Sequence, residues 1–261
     1  MGPPGDRPHP NRLAEGEGAS QNPILDKRSF YSQREIAEVY DQQRFSGASG
    51  QRVNARELAV VLDIVPPSGR VLDLASGTGR LAEALARRGQ PVVAADYSAP
   101  MAERTHALGI PSVIGDAFAA PFRTGSFAAV VALRFAFHYS ELAPLLAEMA
   151  RLGAPGAAIV LDTYSWSPRS VIPIGARRWG GVVHLHPPAE VKRVARNTNL
   201  RVEQAHPCFL FSPYLYRLAP LAIERVFEWM ERCVPKTFLC RTFWKLTTEV
   251  GLELRHDAAA L

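Results

Sequence analysis

From Ser29 to Phe45 the apolar positions recur at helical spacing, with Ile36, Val39 and Tyr40 on one face, and the run Ser46-Gly47-Ala48-Ser49-Gly50 then breaks the pattern. A second helix fits 52–64, where Val53, Leu58, Val61 and Leu62 are apolar, and Pro66-Pro67-Ser68-Gly69 closes it. From Val71 the texture changes. Short apolar runs at Val71–Ala75, Val92–Ala95, Val113–Ile114, Ala128–Leu133 and Ala157–Leu161 alternate with amphipathic stretches at Leu81–Arg88, Pro100–Leu108 and Glu141–Leu152. Strands that are apolar throughout have no solvent side, so this alternation predicts an α/β fold with a parallel sheet covered on both faces. The ligand site of such a sheet lies at the carboxyl ends of its strands.

Past the fifth apolar run the order loosens. A helix fits 188–197 and a strand Leu200–Ala205; Leu218, Leu221, Val226, Met230 and Cys233 then mark one amphipathic helix, and Leu239, Phe243, Leu246 and Val250 mark another. Tyr214, Tyr216, Phe227, Trp229, Phe238 and Trp244 surround these two. Such a stripe serves as a lid or extra core layer, as an apolar acceptor tunnel, or as a membrane-surface patch. Residues 1–28 hold five prolines, four glycines and few apolar side chains, and read as a disordered tail.

The chain has 261 residues, 47% hydrophobic and 21% charged, which suits one globular domain over 29–261 and excludes a disordered protein. Its core would span 68–163, with an acceptor and cap region at 29–65 and 164–250. Three cysteines are too few for a disulfide framework or a zinc cluster. No apolar run reaches the length of a spanning helix, and the polar, proline-rich start does not read as a secretory signal. A cytoplasmic setting is the expectation. The net charge of +5 is unevenly placed: residues 1–167 carry 16 basic and 17 acidic side chains, residues 168–261 carry 14 and 8. All the excess is in the last third, either as a solvated arginine-rich face or as an attraction for an anionic substrate or membrane surface.

The segment Val71–Ala82 runs from a strand through a glycine turn into a helix, and Gly77 and Gly79 let backbone pass close to a ligand. There is no Gly-Lys-Ser/Thr, so a phosphate-cradling loop is excluded. Asp96 ends the next strand, where a carboxylate can accept from both ribose hydroxyls. Asp116 lies just past the third, within reach of the exocyclic amine of an adenine. Each alone reads equally as a turn or cap residue; at three successive strand ends they describe a nucleoside pocket.

These residues resemble the class I S-adenosylmethionine-dependent methyltransferases, of the type that includes ubiquinone and menaquinone biosynthesis enzymes. The matching pieces are VLDLASGTGRLAEAL (71–85), VVAADYSAPM (92–101), GDAFAAPFRTGSFAAVV (115–131), RFAFHY (134–139) and LGAPGAAIVLD (152–162). The resemblance implies a Rossmann-like, seven-stranded, mostly parallel sheet flanked by helices, with a helical cap from the N-terminal helices and the C-terminal third. It implies that Asp73, Ala75, Gly77 and Gly79 surround the methionine part of the cofactor S-adenosyl-L-methionine. Asp96 would then hold the ribose, Tyr97 and Met101 would pack the adenine, Asp116 and Ala117 would read its edge, and Leu133 would present backbone to the amino-acid end. Ala75-Ser76 departs from the family's usual Gly-Cys, and Ala128 stands where the family has Asp.

On the acceptor side, His138 falls where the resemblance puts residues facing both cofactor and acceptor, as a general base or as pocket wall. Arg134 would neutralise a carboxylate, the cofactor's or a buried partner's. Tyr40, Tyr164, Trp166 and His184 are candidates for contact with a small-molecule acceptor. The pair His184 and His186 lacks a third ligand spaced nearby, so no metal is expected. No Asn/Asp-Pro-Pro-Tyr/Phe occurs, and Pro207-Cys208 lies far from the fourth strand, so a DNA substrate is not expected. The expected function is methyl transfer to a small, partly apolar metabolite: a phenol, quinone precursor, polyketide or lipid-linked sugar. A tRNA or protein methyltransferase and a non-catalytic cofactor-binding partner or sensor are the alternatives.

Overall fold

The computed structural model describes residues 27–167, 170 and 183–248. Three helices open this part of the chain: α1 (Lys27–Tyr31), α2 (Arg34–Phe45) and α3 (Gly47–Ile64). Strands and helices then alternate as β1 (Val71–Leu74), α4 (Arg80–Arg87), β2 (Val92–Asp96), α5 (Ala99–Ala107), β3 (Ser112–Ile114), β4 (Phe127–Ala132), α6 (Ala143–Leu152) and β5 (Gly153–Tyr164). After α7 (Pro188–Asn197) and β6 (Leu200–Cys208) come α8 (Pro213–Leu218), α9 (Leu221–Cys233) and β7 (Arg241–Thr248).

The strands form one seven-stranded sheet in the order β3-β2-β1-β4-β5-β7-β6. The first five pair in parallel, and β7 runs antiparallel between β5 and β6. β1 and β4 are buried almost throughout, as their unbroken apolar runs require. Two apolar layers result. One, with Val53, Leu85, Val131 and Phe243, packs on α3 and α4; the other, with Leu72, Val130, Met149 and Trp244, packs on α6 and α7. No described helix is long and apolar enough to cross a membrane.

Three expectations are corrected. Residues 241–248 form β7 and not a helix: Phe243 faces one apolar layer and Trp244 and Leu246 the other, while Thr242, Thr247 and Thr248 add β-branched side chains. Leu239, Phe243 and Leu246 matched helical spacing by coincidence, because a strand buried on both faces shows no polar alternation; Val250 lies outside the described residues. The tail reading reached too far, since α1 begins at Lys27 and Phe30 is buried. The break after Phe45 falls at the extended Ser46 as expected, but α3 resumes at Gly47 and not at 52, so Gly47–Gly50 form its first turn. A side chain at Gly50 would meet the Phe45 backbone at 2.9 Å, so this corner needs its glycine for packing.

Candidate functional site

The site grows out of the carboxyl end of β1. Beyond Leu74 the backbone enters the left-handed region at Ala75 (φ 57°), Gly77 (φ 57°) and Gly79 (φ 82°), and α4 starts at Arg80. A Cβ at Gly79 would stand 2.8 Å from the Thr105 side chain, so α5 can approach the turn only where there is none. A Cβ at Gly77 would meet no protein atom within 4 Å. That residue faces the cavity, and its amide donates to Asp96 Oδ2 at 2.7 Å.

Asp96 takes a second amide, from Ser98, on Oδ1 at 2.9 Å, and burial pushes its pKa upward against these two donors. The carboxylate thus ties the glycine turn to the start of α5, where Ser98 caps by accepting from the Met101 amide at 3.3 Å. Asp116, past β3, accepts from the Phe118 amide at 3.0 Å and pairs with Arg28 at 2.8 Å. The Arg28 guanidinium also lies 4.5 Å from the centroid of the Tyr97 ring. So α1 closes one end of the site with a cation set on the two residues expected at the adenine.

The opposite end follows β4. Arg134 has φ 61° and donates its amide to Asp162 of β5, and a short 3-10 turn at Ala136–His138 brings His138 into the wall. The His138 carbonyl accepts from Lys27 Nζ at 2.7 Å, and the Tyr31 ring meets the imidazole edge-on at 5.6 Å. The result is a partly open cavity of about 120 Å³. Its wall combines Ala75, Gly77, Asp96, Tyr97, Met101, Asp116, Ala117, Leu133, Arg134, His138 and Tyr40 from the sequence reading.

Five of the expected residues lie elsewhere. Asp73 is buried beneath the turn, where Oδ2 accepts the Ala82 amide at 3.0 Å and anchors α4; burial raises its pKa to about 7. Gly79 shapes the turn without lining the cavity. The Tyr164 ring is buried against Phe137, with centroids 5.0 Å apart, and burial raises its pKa. Trp166 donates to the Phe238 carbonyl at 3.3 Å. The His184 amide donates to the Phe137 carbonyl at 2.9 Å, and burial, with Lys27 nearby, lowers its imidazole pKa. His186 is fully occupied, meeting Glu190 at 3.2 Å and the Tyr139 carbonyl at 3.0 Å. Trp179, also singled out in the sequence, lies outside the described residues.

The reading missed Lys27, Arg28, Phe135 and Tyr139, all in the cavity wall, where Tyr31 of the N-terminal helix also stands. It also missed Glu57, a carboxylate of α3 with no exposed surface. Glu57 meets Arg134 at 2.8 Å, Arg80 at 3.2 Å and Arg241, whose Nε contacts Asp162 at 2.7 Å. Burial opposes the charge on Glu57, and the three guanidiniums overcome it, holding the pKa at about 2. The carboxylate expected for Arg134 is therefore a buried partner within the protein.

A glycine turn after β1 and carboxylates at the ends of β2 and β3, all on one cavity of a sheet ordered 3-2-1-4-5-7-6, define the class: the class I S-adenosylmethionine-dependent methyltransferase fold. Sequence comparison agrees. The family "Methyltransferase domain" matches residues 72–161. A demethylmenaquinone methyltransferase of Renibacterium salmoninarum is 35% identical over 133 residues, which are 50% of this chain and 56% of that one. The chain thus spans little more than half the length of that relative. Among solved structures, geranyl diphosphate C-methyltransferase from Streptomyces coelicolor superposes with TM-score 0.57 at 18% identity, covering 77% of this chain and 80% of that one. The cyclase SpnF superposes with TM-score 0.58 at 14% identity, covering 75% and 81%. Residues 72–161 thus match the methyltransferase family, and the sheet around them has the class I methyltransferase fold.

Proposed function

We propose that the protein transfers a methyl group from S-adenosyl-L-methionine to a small, partly apolar acceptor. The observation that carries this reading is the convergence of the Gly77 turn, Asp96 and Asp116 on the same cavity as His138. The cavity suits the cofactor in chemistry. Gly77 leaves room where a side chain would stand, Asp96 offers acceptor oxygens at ribose depth, and Met101 and Tyr97 supply apolar surface for a base. When bound, the cofactor supplies an electrophilic methyl group on a sulfonium, and transfer is an in-line displacement that depends mainly on positioning.

The protein's part is to hold and shield. Asp96 and the turn fix the nucleoside, Leu133 borders the cavity beyond β4, and α1 covers the opening and excludes water. His138, between the rings of Tyr31 and Phe137, would take a proton from an acceptor hydroxyl or acidic carbon as its bond to the methyl forms. Tyr31, Tyr40, Phe135 and Tyr139 make the acceptor side aromatic, which favours a planar or apolar acceptor. A phenol or quinone precursor fits that wall, and the names of the relatives support it.

The test is calorimetric titration with S-adenosylhomocysteine, followed by turnover against phenolic and quinol acceptors with product mass as the readout. Micromolar binding with a product heavier by one methylene is expected. Absence of binding would remove the reading, and binding without any methylated product would leave the fold in a role such as that of the cyclase.

A further inference from the structure

We propose that the outward face of α9 docks on the anionic surface of a lipid bilayer. The helix is sorted by charge in an unusual sense. Two of its three carboxylates turn inward, Glu224 onto Arg52 at 2.7 Å and Glu231 onto Arg56 at 2.6 Å, while Glu228 at the edge, about one third exposed, reaches Arg56 at 3.7 Å. Phe227 lies between them, packed on Phe211 and Tyr216. The outward face is left with the apolar side chains. Trp229 is 63% exposed, Val226 52% and Ile223 45%, and Phe238 just beyond the helix is 62% exposed.

Helical geometry puts Val226 and Trp229 at the centre of that face, since residues three and four apart are neighbours. Arg225 and Arg232 flank them on one side, Lys236 follows the helix end, and all three are exposed. Among the described residues no ion pair holds any of these three cations. The face therefore offers apolar and aromatic side chains with cations, and Glu228, drawn toward Arg56, is the one carboxylate of the helix near its edge.

That combination selects the occupant. A protein core or a second copy of this face would meet the same cations and gain nothing from them, whereas an anionic bilayer satisfies both parts. Apolar side chains enter the acyl boundary, tryptophan settles at headgroup level, and each nearby cation adds attraction to the anionic headgroups. The excess of basic residues in the last third of the chain acts in the same direction. The inference stands independently of methyl transfer.

The experiment is sedimentation of the full chain with phosphatidylcholine vesicles, with and without phosphatidylglycerol, at low and high salt. Binding to the anionic vesicles is expected, weakening as salt rises. The variant Val226→Glu/Trp229→Glu should bind about tenfold or more weakly, and Arg225→Glu/Arg232→Glu should lose the preference for anionic lipid. All four positions are exposed, so unchanged circular dichroism and melting temperature will show that both variants fold. Failure of the wild type to bind anionic vesicles at low salt would overturn the proposal, as would unchanged binding by Val226→Glu/Trp229→Glu. A dimer by light scattering that Trp229→Glu disperses would assign the face to a second copy and overturn it equally.

Discussion

Replacing Glu57 by glutamine keeps the shape of the side chain and removes one charge from a site with no exposed surface. Three guanidiniums, those of Arg80, Arg134 and Arg241, would then lose the carboxylate they share, and only Arg241 would keep an ion pair, with Asp162. Leaving buried cations without their partner costs about 3–5 kcal/mol. The acid side of the same equilibrium gives an independent figure. Folding lowers the Glu57 pKa from 4.5 to about 2, so the folded state binds its proton less readily than the unfolded chain. The stability this confers is present above pH 4.5 and is lost as pH falls toward about 2, and it amounts to on the order of 3 kcal/mol. The two figures agree. Urea unfolding of wild type and Glu57→Gln at pH 7 should differ by that amount, and melting should drop by about 6–20 °C for a domain of this size. Repeated from pH 6 down to pH 3, the two stability curves should converge, because acid removes from the wild type what the substitution has already removed. A loss below about 1 kcal/mol at pH 7, or curves that stay parallel, would refute the reasoning.

Three further outcomes concern the cavity. Asp96→Ala removes a half-buried acceptor expected at the ribose and should weaken S-adenosylhomocysteine binding about a hundredfold, read by calorimetry; an unchanged affinity would displace the nucleoside from this end. His138→Ala should lower turnover by about 10²-fold or more while the S-adenosylhomocysteine Kd stays within about twofold, and a parallel loss of both would mark the histidine as wall. Deleting residues 1–31 removes α1 with Arg28 and Lys27, and should raise the dissociation rate of S-adenosylhomocysteine about tenfold by stopped flow; an unchanged rate would deny α1 its role as cover.

What the sequence disclosed and what it hid follow from the range of the interactions involved. The turn at Gly77, Asp96 and Asp116 each sit within a few residues of a strand end, so strand periodicity and local residue choice located them, and the structure gathers them on one cavity. Arg28 contacts Asp116 across 88 positions and lies in a stretch too poor in apolar residues to read as structured; its place became visible only through its partner. Glu57 and Arg241 are 184 positions apart. Nothing in the neighbourhood of either announces a buried charge, since a lone Glu in α3 and a lone Arg at the start of β7 are each ordinary surface residues in sequence.

The same long-range network explains the misplaced acceptor residues. Tyr164 ends β5 beside Asp162, and its ring lies 5.6 Å from the Arg241 guanidinium, so it belongs to the layer that the arginine network fills. Arg134 joins that layer to the cavity: its guanidinium pairs with Glu57, its amide with Asp162, and the residue itself lines the wall between Leu133 and Phe135. The position of His138 four residues on therefore depends on charges held by α3, β5 and β7. The end of the cavity with Gly77, Asp96 and Asp116 is built largely from local signals along the first strands, whereas the stretch from Arg134 to His138 is held by ion pairs between segments far apart in the chain. Glu57 reaches both sides, through Arg134 ahead of His138 and through Arg80 behind the glycine turn, so its loss should lower turnover and weaken S-adenosylhomocysteine binding together, read by kcat and by calorimetry.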